Sequence, residues 1–188
     1  MVQTSNAVAN GQNDAIEAAI GPSPILELRT GPPAATTATA ATGTLVAAIQ
    51  LPADFMANSG AVTQRIKSKL GSWAGTTIAG GLLGHYRLRD TAGSPVTHLM
   101  GLISEPWAAS KAYLVGQQVH NNGLVYRATA AGTSAASGGP TGTTAAITDG
   151  GVTWAYVGAQ EMTFANTNYN TGQAISVDNY DITAGNTL

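Results

Sequence analysis

A chain of 188 residues with 10% charged side chains and a net charge of −2 has no basic stripe able to neutralise successive phosphates, which excludes a nucleic-acid surface. Cysteine is absent, so disulfides, thiolate zinc sites and Cys nucleophiles are excluded together. The length suits one domain with its own core, or one domain plus a small insert, and a neutral surface rich in Gly, Ala, Thr and Asn suits a protein that packs against neighbours.

Met1 to Ala9 shows neither a positively charged region nor an apolar stretch, so the expectation is neither an export signal nor a membrane span. From Asn6 to Ile20, the positions of Val8, Ala15, Ile16, Ala19 and Ile20 predict a weakly amphipathic helix, which Gly21-Pro22 stops. Such a helix serves either as a cap on a sheet or as an arm reaching a neighbouring subunit, with the cap favoured by its narrow apolar face. After Pro24 the texture turns to short β-like runs. Ile25 to Arg29 sets Leu26 and Leu28 against Glu27 and Arg29, and Thr44 to Leu51 puts Leu45, Ala47, Ile49 and Leu51 on one side. Between them, Gly31-Pro32-Pro33 and the Ala/Thr tract from Ala34 to Thr42 read as a low-complexity loop that needs contact with something else to be ordered.

Beyond Pro52, Ile66, Leu70 and Trp73 fit either a helix face or a strand with Lys67 and Lys69 outward. His85 to Arg89 and Val96 to Leu102 flank Asp90-Thr91-Ala92-Gly93, a turn sequence, and so predict a hairpin with Tyr86 and Leu88 in the core and Arg87 and Arg89 in solvent. Strands resume after residue 160, where Met162 and Phe164 alternate, Asn170-Thr171-Gly172 turns, and Ile175 and Val177 precede Tyr180 and Ile182. Many short strands without a 20-to-50-residue repeat predict an all-β fold, a jelly-roll-like antiparallel β-sandwich with a short N-terminal helix.

Between Glu105 and Gly158 the composition shifts, with two of the three Trp and three of the six Tyr. Asn122-Gly123 is a strong two-residue turn signal, because both residues tolerate positive φ, and it joins Gln117–Asn121 to Leu124–Thr129 in a hairpin. The expected organisation is a discontinuous sandwich from residues 1–104 and 159–188, with 1–21 as helix or arm and 105–158 as an inserted small β-unit. The run from Trp107 through Tyr113, Gly116, Val119, Asn122-Gly123 and Tyr126-Arg127-Ala128 resembles the small chitin-binding type of carbohydrate-binding module. That resemblance covers about a quarter of the chain and implies a glycan site, for which Trp107, Tyr113, Tyr126 and Trp154 are the candidates. The chain departs from the pattern where binding members place exposed aromatics, since Thr129 to Gly139 holds only Ala, Gly, Ser and Thr. A unit this small also needs large side chains for its own core, and packing is the favoured role for the four aromatics.

The framework segments Ile25 to Gly31, Thr42-Gly43-Thr44-Leu45, Leu51 to Met56, Gly84-His85-Tyr86-Arg87 and Asp90-Thr91-Ala92-Gly93, with the closing Met162 to Asn186, resemble tailed-phage virion proteins. This implies a capsid decoration or cement protein on the outer surface of the virion, with the major capsid protein or other virion proteins as partners and a dimer or trimer as the assembly. A glycan is then a weak additional partner of the insert. The alternatives are a tail or fibre adhesin and an accessory module of a glycan-degrading enzyme.

An enzyme is not expected, and no cofactor or metal is called for. His85, His98 and His120 are the only imidazoles; His85 and His98 could share a hairpin, but no HxH or HExxH spacing exists. Acidic residues such as Asp54, Asp149 and Asp178 are isolated turn residues rather than a glycosidase pair. Ser72 and Ser94 lack a nucleophile-elbow context, and Gly80-Gly81 and Gly138-Gly139 are loop glycines.

Overall fold

A computed structural model describes residues 5–57 and 66–183. It is all-β apart from one helix, α1 (Asn6–Ile20), which starts where the hydroxyl of Ser5 accepts from the Val8 amide and ends where Gly21, at φ 78°, donates its N–H to Glu17 O. The framework strands before the insert are β1 (Ile25–Thr30), β2 (Leu45–Gln50), β3 (Ile66–Ser68), β4 (Ala74–Thr76), β5 (Gly81–Arg89) and β6 (Thr97–Pro106). The insert contributes β7 (Ala112–Tyr113), β8 (Gln118–Asn121), β9 (Leu124–Ala130), β10 (Gly132–Thr133), β11 (Ile147–Asp149) and β12 (Val152–Ala159). Four short strands close the framework: β13 (Met162–Thr163), β14 (Asn168–Tyr169), β15 (Ala174–Ser176) and β16 (Asn179–Thr183).

The sandwich core lies between β2–β1–β5–β6 and the closing segment. Leu26, Leu28, Val46, Leu83, Leu88 and Ile103 meet Met162, Phe164, Ile175, Val177 and Tyr180, with Phe55 and Trp73 filling one end. Tyr180 packs at 5.5 Å against Trp73 and edge-on against Tyr86 at 5.3 Å, and the two tyrosine hydroxyls share a buried hydrogen bond. Among the described residues, pairing is antiparallel except at the C-terminal half of β6. There Ile103 and Ser104 pair in parallel with β13, and Glu105 and Pro106 pair in parallel with β8.

A single bulge sets the phase of β5. Arg29 opposes His85 while Thr30 opposes Leu83, so Gly84 is left unpaired. The extra residue lets Leu83 and Tyr86, three apart, both point into the core. Only glycine fits there, because a Cβ at Gly84 would collide with the backbone of Gly31.

Three sequence expectations are corrected by burial. Arg87 is not in solvent: it is 6% exposed, and its guanidinium donates to Thr37 O, Thr39 O and Thr97 Oγ1. Arg89 is only partly exposed and pairs with Glu27 at 2.9 Å, and the same carboxylate takes Arg29 at 3.0 Å. The outer face of β1 and β5 therefore needs a cover, which the Ala/Thr tract supplies, so the contact that orders this loop comes from the chain itself. Arg29 donates to Thr42 O and Gly43 O, and the loop's backbone carbonyls accept hydrogen bonds from arginines that alternation alone would have put in water.

Lys67 is the third correction. Strand β3 is a strand, but Lys67 points inward at 2% exposure while Ile66 and Leu70 are 44% and 40% exposed. The inverted register is held by α1, whose Asp14 and Glu17 take the ammonium at 2.7 and 2.5 Å. Glu17 also accepts from the Met56 amide, and Asn13 donates to Ile182 O. The helix thus acts as a cap across β3 and β16. The hairpin turn is longer than four residues: Asp90 Oδ1 accepts from Ala92 N and Val96 N, bracing the loop from 90 to 96. No helix among the described residues is long and apolar enough to cross a membrane.

Candidate functional site

The insert folds around its own apolar cluster, separate from the framework core: Tyr113, Val119, Tyr126, Ala128, Val152 and Trp154, flanked by Trp107, Leu124, Ile147 and Tyr156. Its β8–β9 hairpin forms as the sequence signals, with Asn122 at φ 51° and Gly123 at φ 76° in the turn. Strand β9 then pairs with β12, and β12 with β11.

The four aromatic candidates are brought together, but as packing. Tyr113, Tyr126 and Trp154 are 2%, 1% and 0% exposed, and Tyr113 meets Trp154 edge-on at 5.0 Å. A ring with no exposed face cannot stack on a pyranose, so these three hold the small core. Trp107 is half-buried, and the loop at Gly139 lies against its indole so closely that a Cβ there would come within 2.9 Å of the ring. Asn121 fastens that loop by donating to Gly138 O and Pro140 O.

Both indole N–H groups converge on one residue that sequence reasoning read only as a turn. Asp149, 5% exposed, accepts from Trp107 Nε1 at 2.7 Å and Trp154 Nε1 at 3.0 Å through Oδ2, and from the Ala135 amide through Oδ1. The Ala/Gly/Ser/Thr segment, which lacks aromatics of its own, is thereby pinned over the core. The Tyr113 hydroxyl accepts from the Ala108 amide, and the Tyr126 hydroxyl donates to Gly142 O.

The opposite face of β8 and β9 meets the framework through polar groups. Gln118, 2% exposed, donates both amide hydrogens to carbonyls, Gly84 O and Ile103 O, each at 2.7 Å. Glu105 is fully buried and accepts from Lys111 Nζ and Gln117 Nε2 with one oxygen, and from Thr167 N and Oγ1 with the other. It therefore ties the start of the insert to the closing segment. Ser104 and His120 share a hydrogen bond beside it. The sequence hint for Glu105 is a lone carboxylate following Ile103 and Ser104; nothing in the sequence marks Gln118.

A cleft of about 350 Å³ opens at this seam, walled by Thr30, Gly31 and Pro32 from the framework loop, Leu82 and Gly84 from β5, and Gly116, Gln118 and Arg127 from the insert. No histidine lines it, although His85 lies directly behind its wall. His85 is fully buried with Nδ1 on Gly31 O; burial, aided by Arg29 and Arg87, holds its pKa below the ordinary value. His98 lies at the hairpin loop on Asp90, 3.1 Å away, and burial also lowers His120. His85 opposes Leu102 rather than His98, and among the described residues no three His, Asp or Glu side chains converge in a metal-binding group. Comparison with protein-family models, curated proteins and solved structures gives no match.

Proposed function

We propose that this chain is a non-enzymatic virion structural protein that decorates or cements a phage capsid, bound to the major capsid protein as a dimer or trimer on the outer surface. Its insert projects outward and touches surface glycans weakly, gaining from many copies. The observation that carries this reading is where the virion-like segments fall: Gly84-His85-Tyr86-Arg87 forms the bulged, doubly covered centre of the framework, and Thr42-Gly43 anchors the loop that covers it. The low-charge surface supports it too, since little charge must be desolvated when copies pack. So does the edge strand β3 with the residues just after it, where Ile66 and Leu70 are exposed, a surface that a neighbouring subunit would cover.

The test is to add purified chain to particles lacking it. Saturable, stoichiometric attachment and greater resistance of the particle to heat are expected. Attachment to tails or host cells with none to capsids would replace this reading with the adhesin.

A further inference from the structure

The seam cleft contains two polar groups that the protein leaves unused. Arg127 on β9 is half-buried, and its guanidinium has no hydrogen bond or ion pair among the described residues. Its cross-strand neighbour Gln118 is held rigid by two carbonyls 2.7 Å from its amide nitrogen. Because both partners are acceptors, the amide orientation is fixed, and Oε1 is the end left without a donor from the described residues. The site therefore offers a planar fork of N–H donors beside one oriented acceptor.

The walls suit a small ring. Leu82 and Pro32 are apolar, and the backbone at Gly31 is open: a Cβ there would meet no atom within 4 Å. The volume, about 350 Å³, lies in the range of small-molecule sites, which also favour seams between folding units and few polar groups. A guanidinium pairs best with a carboxylate, bidentately. A phosphate would bring more charge than one arginine neutralises, and no lysine lines the cleft. A neutral sugar offers Arg127 only hydroxyl acceptors, which return less than a carboxylate for the same desolvation.

We infer that the cleft between framework and insert binds a carboxylate-bearing sugar residue of an acidic glycan. Its carboxylate pairs with Arg127, a neighbouring ring hydroxyl donates to Gln118 Oε1, and its C–H face rests on Leu82 and Pro32. The inference rests on the insert being the glycan-contacting part of the protein, and moves that contact from the buried aromatics to the seam; it does not depend on capsid binding.

The experiment is an amide-resolved NMR titration of the full chain with glucuronate, methyl glucoside, acetate, inorganic phosphate and a chitin oligosaccharide. Saturable shifts at Gly31, Gly84, Gly116 and Gln118 with glucuronate are expected, with little response to methyl glucoside and weaker, nonsaturating response to acetate and phosphate. R127Q should weaken glucuronate at least about tenfold at unchanged melting temperature, and R127K, which keeps the charge but loses the fork, should weaken it severalfold. The inference is overturned if R127Q and R127K bind as the parent does, or if acetate or phosphate binds as tightly as glucuronate, which would make this a simple anion site. Binding of the chitin oligosaccharide without glucuronate would overturn the cleft while leaving the insert a glycan binder. No sugar binding at all would overturn both, with the particle-attachment assay still deciding the capsid role.

Discussion

Glu105→Ala should be among the most damaging single changes in this protein. It strips the acceptor from the buried Thr167 N–H, which costs about 1–3 kcal/mol as an unsatisfied donor, and from Gln117, about 1 kcal/mol more. Lys111, whose side chain is 37% exposed, can turn to water, so its pairing contributes only about 0.2–1 kcal/mol. With the void left behind, the total is about 3–5 kcal/mol, as for other broken buried pairs. For a chain of this length that corresponds to a melting-temperature loss of roughly 6–20 °C. Urea denaturation followed by tryptophan fluorescence and circular dichroism measures it, since Trp73 reports on the framework while Trp107 and Trp154 report on the insert. Glu105→Gln keeps the shape and one acceptor, and should lose about half as much. A loss below about 1 kcal/mol for the alanine variant, or equal losses for both variants, would refute the view that this carboxylate joins the two cores.

Gly101→Ala should destabilise by about 1–3 kcal/mol, because its Cβ would fall on the Glu161 carboxylate that accepts from the Leu102 amide; thermal melts check this, and an unchanged melting temperature would count against the placement of Glu161. Trp107→Ala should cost about 2–4 kcal/mol and loosen the insert locally, seen as faster amide exchange in β8 to β12 with the framework unaffected. Stability should fall on mild acidification. His85 and His120 have folded pKa values below the ordinary 6.5, so the unfolded chain binds protons that the folded one refuses. Their contribution is complete above about 6.5 and is lost as pH falls through the lower folded values. Urea midpoints at pH 7.5 and 5.5 should therefore differ, and less so in the H85Q/H120Q double variant. Glu161, raised by burial, acts with the opposite sign in the carboxylate range, where its protonated form favours the fold.

Local signals carried far in this chain wherever the relevant partner was near in sequence. The helix boundaries, the Asn122-Gly123 hairpin and the alternation of Leu26 and Leu28 or Ile175 and Val177 depend on propensity, positive φ and period-two burial, all readable along a strand. Arg87 and Lys67 defeated the same logic because their inward placement is stabilised by groups distant in sequence, the carbonyls at Thr37 and Thr39 and the carboxylates of α1. The seam was illegible for a related reason. Gln118 and Arg127 sit among ordinary strand residues, and their shared character arises only when β8 and β9 are laid beside Gly84 and Leu82.

Strand β6 runs from the framework's apolar cluster into the insert's sheet without a break, its last two residues already paired with β8. A lobe mounted this way behaves as an outrigger fixed to the hull rather than a float on a line. Any ligand or neighbour that tugs on it works directly against the rungs of β5 and β6. Engineers wishing to hang cargo from the protein would keep the lobe's aim by building at the Asn122-Gly123 tip, and would lose it by cutting at residue 105.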